Sequence, residues 1–232
     1  MATLKKTLTA LLILFIFSAC GEKELILSDA NCKITYHESY AKIAKDIQLN
    51  EQMEQESTSE KKQFTYSILN EGDEVVFNIS LRDQSDIDKN SAIGEACYYQ
   101  RKFLADKKVR FQFTDNAQQV KLTIKSDELP ISLEQTNFLL LVDREIDKAD
   151  IQQLEVFAKD KSLPQEASFW LKKGDDGEYI CYTIFYDQTS DSEVLQEVFS
   201  RARTIVKKLN ALGLKQEVQS GFMSLDYKVL DI

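Results

Sequence analysis

Few side chains in this sequence stand in a pattern that could do chemistry. His37 is the only histidine, so a histidine-centred triad has one possible base, with nothing near it in sequence to orient it. We read His37 as a polar residue at a strand end. Cys32, Cys97 and Cys181 lack the C-x-x-C spacing that signals zinc. Asp73-Glu74, Asp86 with Asp88, and Asp175-Asp176 lack the alternating oxygen ligands of a calcium loop and suit turns and helix starts instead. Gly174 and Gly177 flank two aspartates, whose charge would repel a phosphate. Among 38 acidic residues no pair is singled out as the carboxylates of a glycosidase. The expectation is a protein with no catalytic residue, no cofactor and no metal.

The fourth cysteine, Cys20, has a different setting. Lys5 and Lys6 precede an apolar run from Leu8 to Phe17, which ends in Ser18-Ala19-Cys20-Gly21. A charged start, about ten apolar residues and small residues before a cut describe an export signal. The run is shorter than the roughly 20 residues a spanning helix needs. Its end, Phe17-Ser18-Ala19-Cys20, resembles the lipobox of bacterial lipoproteins, with Phe17 where that family more often has Leu. The resemblance covers the signal alone. It implies a diacylglyceryl group on the Cys20 thiol, cleavage just before Cys20 and acylation of the new amine. Gly21 is not Asp, which resembles the pattern for delivery to the outer membrane, facing the periplasm.

Composition narrows the partners. Removing residues 1–19 leaves 213 of the 232 and makes the chain two charges more acidic than its formal −9. That balance argues against nucleic acid and against a polybasic grip on anionic lipid. Attachment to the membrane would then come from acyl chains, at about 0.8 kcal/mol per buried methylene. Two prolines and seven glycines in the whole chain argue against disorder.

The elements follow from periodicity. After a tether over 20–31, a strand is expected at Cys32–His37. A helix follows from Ser39 to Met53, with Tyr40, Ile43, Ala44 and Ile47 on one face. Phe64–Ile68 and Val75–Leu81 alternate as strands around a turn at Asn70-Glu71-Gly72-Asp73. A helix capped by Ser85 or Asp86 runs to about Lys107, with Gly94 as its weak point. Val109–Phe113 and Val120–Ile124 are strands, and 126–135, with Pro130, reads as a linker.

The second half repeats this order. Phe138–Val142 is a strand, and Asp147 caps a helix. Ala167–Leu171 and Tyr179–Tyr186 are strands around a Gly-Asp turn. Ser190 with Glu193 forms a capping box for a helix ended by Gly213, and Glu217–Leu230 closes as one long strand bent at Gly221. Asp83-Gln84-Ser85-Asp86 answers Asp187-Gln188-Thr189-Ser190-Asp191 about 104 residues later.

Both halves therefore read β-α-β-β-α-β, a domain duplication. We expect an α+β protein of two tandem ferredoxin-like repeats, 32–125 and 136–232, each an antiparallel sheet with both helices on one face. In that topology the second helix runs parallel to the first strand and over it. This places Cys97 near Cys32 and predicts a Cys32–Cys97 disulfide in an oxidising compartment, with Cys181 a buried thiol.

One strand is apolar on both faces. Tyr179–Tyr186 carries Tyr179, Cys181, Thr183 and Phe185 on one side and Ile180, Tyr182, Ile184 and Tyr186 on the other. Leu139 and Leu141 extend this doubling, as do Phe169 and Trp170. Helices on one face leave the other to be buried by the companion half, a partner or a ligand. The residues Ile180, Tyr182, Ile184 and Tyr186 are thus the candidate binding face. The expected function is that of a lipid-anchored envelope protein that binds another protein. A binder of a small molecule or peptide between the repeats is the alternative, ahead of a hydrolase.

Overall fold

The computed structural model describes residues 23–26, 32–57, 64–81, 88–115, 117–135, 138–163, 167–185 and 192–230. The signal segment, Cys20, Ser85, Asp86, Tyr186 and Ser190 lie outside these residues. The fold is mixed α+β. Contacts divide the chain into two compact units, one of residues 1–87 and 102–126, the other of 88–101 and 127–232.

The first unit is built on a sheet with six strands among the described residues: β1 (Lys23–Ile26), β2 (Cys32–Tyr36), β3 (Phe64–Glu71), β4 (Glu74–Leu81), β5 (Val109–Thr114) and β6 (Val120–Lys125). They lie in the order of the chain. Helix α1 (Ala41–Ser57) joins the parallel neighbours β2 and β3, and helix α2 (Lys89–Phe103) joins the parallel neighbours β4 and β5. Gly72, at φ +68, makes the tight turn between the antiparallel β3 and β4. Alternate residues Ile34, Tyr66, Ile68, Phe77, Ile79, Phe111 and Phe113 are fully buried on one face. Tyr40, Ala44 and Ile47 are buried at helical spacing beside them. Tyr66 stacks on Phe77, which meets Phe111 edge-on at 5.8 Å.

The second unit repeats the plan. Its strands are β7 (Ile131–Gln135), β8 (Phe138–Val142), β9 (Ala167–Lys173), β10 (Tyr179–Phe185) and β11 (Val218–Ser224), again in chain order. Helix α3 (Lys148–Phe157) joins parallel β8 and β9, and helix α4 (Ser192–Asn210) joins parallel β10 and β11. The sense of every pairing matches the first unit, so β4 and β10 hold the same sheet position. Phe138, Leu140, Val142, Phe169, Leu171 and Cys181 form one core with Leu154 and Phe157 of α3 and Ile205 and Leu209 of α4.

Four expectations are corrected here. A ferredoxin-like sheet is antiparallel and interleaves its strands, whereas these sheets are sequential and partly parallel. From β2 to β6 and from β8 to β11 the order of elements is that expected, whereas the expected tether over 20–31 contributes β1, which pairs with β2. Each helix simply returns the chain to the adjacent position, which leaves no gap for another strand. Residues 126–135 are not merely a linker, because Ile131–Gln135 pairs with β8. The closing strand ends at Ser224. Its chain then turns, with Tyr227 at φ +62, and Val229 bridges back to Met223.

Local signals fix the ends of the elements. Asp147 caps α3, its carboxylate accepting from the Ala149 N–H at 2.9 Å. Asp88 accepts from the Ser91 N–H at 2.8 Å at the start of α2. Gly213, at φ +70, ends the turn after α4, and Glu197 pairs with Arg201 one turn along that helix. Asp150, 1 % exposed, accepts the Tyr179 hydroxyl at 2.8 Å and the Lys215 N–H at 3.2 Å. This buried carboxylate ties α3 to β10 and to the chain entering β11.

Candidate functional site

In the second unit, alternation puts Leu139, Leu141, Trp170, Lys172, Ile180, Tyr182 and Ile184 on the face opposite the shared core. The register confirms it, with Leu141 beside Trp170, Trp170 beside Tyr182 and Lys172 beside Ile180. Of the candidate binding residues, Ile184 is buried, and Ile180 and Tyr182 are half-buried. Tyr186 lies outside the described residues.

Part of this face is covered from within the chain, by α2. Asn90, Ser91, Gly94, Cys97 and Arg101 fall on one stripe of that helix. Asn90 accepts a hydrogen bond from the Lys172 ammonium at 2.7 Å. Arg101 pairs with Glu134 of β7 at 2.7 Å. Ser91 Oγ donates to the carbonyl of Asp226, in the turn after β11. Gly94 faces the Tyr227 ring so closely that a Cβ built on it would lie 2.2 Å from a ring carbon. A glycine within a helix costs about 1 kcal/mol relative to alanine; here it makes room for an aromatic ring. Tyr227 in turn meets Trp170 edge-on, with centroids 5.8 Å apart at 81°.

Trp170 stands at the centre of this arrangement and is fully buried. Its indole N–H donates to Asp143 Oδ1 at 2.7 Å, and the Lys172 Nζ lies 4.5 Å from its ring centroid. Burial pushes the Asp143 carboxyl above the usual range, against the pull of the Trp170 N–H and of Lys172. Burial likewise pushes the Lys172 ammonium down, with Asp143 opposing. Each charge is strained by desolvation and supported by the other. Burial also raises the Cys97 thiol to about 12, despite Arg101 close by. Since the thiolate is the nucleophile, that burial works against reaction at Cys97. These groups hold a helix and a turn against a sheet.

The remaining sequence candidates lie elsewhere. Cys32 opens β2 and Cys181 sits in the core of the second unit; both are buried. None of Cys32, Cys97 and Cys181 is in a disulfide, so the expected Cys32–Cys97 bridge is absent. The prediction assumed that α2 lies over β2 and presents Cys97 to it. Instead residues 88–101 group with the second unit, while Cys32 belongs to the first. His37 caps the short 3-10 turn Glu38–Tyr40, its Nδ1 accepting from the Ser39 N–H at 3.3 Å.

Sequence reasoning missed Asp143, Asn90, Lys172 and Tyr227. Gly94, a glycine in a helical stretch, and Trp170, the single tryptophan, were visible signals; nothing local linked them. No protein-family model matches the chain, and neither a curated protein nor a solved structure is found to be similar to it.

Proposed function

We propose that the chain is a lipid-anchored lipoprotein of a bacterial envelope, built from two copies of one α+β unit, which binds another protein and carries out no reaction of its own. The observation that carries this reading is Phe17-Ser18-Ala19-Cys20 at the end of a charged-then-apolar segment. The strand order and pairing senses that β7–β11 share with β1–β5 support the two copies. Each copy departs from the ferredoxin-like plan in its parallel neighbours.

The binding role rests on a face richer in apolar side chains than one core requires. Ile180 and Tyr182 remain half-buried on the sheet of the second unit even where α2 covers their neighbours. The perturbed ionisable groups nearby support a role without catalysis, because Asp143 and Lys172 are engaged with Trp170 and Asn90.

The test has two arms. Cys20→Ser in the native bacterium should release the protein from membranes or leave an uncut precursor. A membrane-bound product of mature size would refute the anchor. Cross-linking of the anchored wild-type protein in its own membranes, followed by identification of the adducts, should recover one protein above background. Recovery of the chain alone would refute the binding role.

A further inference from the structure

The contact between Tyr227 and α2 has the features of a ligand in a site. The site is a notch. One wall is the backbone of α2 at Gly94, bare of a side chain, and the other is the buried ring of Trp170. The ring of Tyr227 fills the notch edge-on to Trp170, and burial raises its phenol to about 12.

Tyr227 is delivered by a narrow strap. Its base is a turn in which the Tyr227 N–H donates to Ser224 and the Leu230 N–H donates to Phe222. Val229 makes an isolated bridge to Met223, and Ser91 holds the strap through the Asp226 carbonyl. Around Tyr227 the strap faces solvent: Leu225 is 58 % exposed and Val229 50 % exposed. Tyr227 itself sits at φ +62, a backbone conformation that side chains other than glycine, asparagine and aspartate rarely adopt. A strained residue on an exposed strap, its ring laid against helix backbone bare of a Cβ, has the features of a removable plug.

We propose that the notch between Gly94 and Trp170 is a binding slot for an aromatic side chain, that Tyr227 occupies it from within the chain, and that a protein partner enters by displacing Tyr227 with an aromatic residue of its own. The occupant's chemistry is read from the present one: a flat ring of phenol size, offering its edge or face to an indole. The identity of the partner as a protein rests on the reading above; the slot does not. Swinging the strap away also uncovers the side of Trp170 that Tyr227 now meets, beside half-buried Tyr182. Self-occupancy lowers the apparent affinity for an outside ring by the fraction of time the slot stands empty.

The test uses the full mature chain with p-cresol as the probe and Trp170, the only tryptophan, as the reporter. Tyr227→Gly removes the plug and suits the positive φ of the strap. Saturable change in Trp170 emission is expected in Tyr227→Gly, with affinity at least about tenfold above wild type. Adding Gly94→Leu, which fills the notch, should abolish it. Equal affinity in wild type and Tyr227→Gly, or binding that survives Gly94→Leu, overturns the proposal. Should Tyr227→Gly fail to fold, Ser91→Ala loosens the strap and leaves notch and ring intact. Acrylamide should then quench Trp170 more strongly than in wild type, and unchanged quenching overturns the proposal. Neither measurement needs a membrane or a partner, so failure here and failure of the lipoprotein reading are separable.

Discussion

The indole N–H of Trp170 meets the Asp143 carboxylate at 2.7 Å, joining the middle of β9 to the loop that follows β8. Because burial holds that carboxyl above its usual range, the native state binds its proton more tightly than the unfolded chain does. The corresponding stability is full below the ordinary carboxylate range and is lost as pH rises through the raised value. Asp143→Asn keeps an oxygen for Trp170 and removes the ionisation. Denaturant titrations should find the variant gaining on wild type as pH rises from the ordinary carboxylate range through the raised value. A difference that stays constant or shrinks over that range would refute the assignment.

Asp150 offers a test of a buried carboxylate that is supported from two sides. Tyr179→Phe removes the hydroxyl donor at 2.8 Å and leaves the Lys215 N–H. Loss of one donor to a buried acceptor costs about 1–3 kcal/mol. In a chain of this size each kcal/mol lowers Tm by about 2–4 °C. Thermal unfolding at neutral pH measures this, and an unchanged Tm would mean that the Tyr179 bond contributes nothing.

Gly221 sits where β11 passes beside β10, and a Cβ there would come within 2.6 Å of the Tyr182 ring and 3.0 Å of Ile180. Gly221→Ala should therefore destabilise by overpacking, at about 1–3 kcal/mol. In a Tyr182→Ala background the same change should cost much less. A double-mutant cycle reads the coupling directly, and additive effects would count against the contact.

The thiols predict a labelling pattern. Cys32, Cys97 and Cys181 are buried, and burial pushes Cys97 and Cys181 to about 12. Alkylating reagents should react slowly with all three in native protein, and with all three once it is denatured without reductant. Peptide mapping decides; a Cys32–Cys97 linked peptide would reinstate the bridge that the fold argues against.

Much of this molecule was legible because the relevant forces act within a few residues. Period-two alternation gave Val75–Leu81 and Val109–Phe113, Gly72 and Gly213 announced turns by their need for positive φ, and Asp147 announced a helix start. Glu197 and Arg201, four residues apart on one helix, stand at the spacing that lets an ion pair form. The two apolar faces of β10 were also plain from its residues, as was the surplus of surface they imply.

Tertiary structure alone decided where those elements went. The order β-α-β-β-α-β fits a split antiparallel sheet and a sequential mixed one equally well, since both bury the same alternate residues. Which strand lies beside which is a choice among long-range pairings, settled by total burial and not by any local preference. The same holds for α2, whose stripe of Asn90, Gly94 and Cys97 carries no mark of its destination. Residues 217–230 contain no proline and one glycine to announce the turn after Ser224. Tyr227 nonetheless leaves the strand, because a notch made 133 residues earlier at Gly94, beside Trp170, accepts its ring. Complementarity between surfaces that far apart in the chain exists only once the chain has folded.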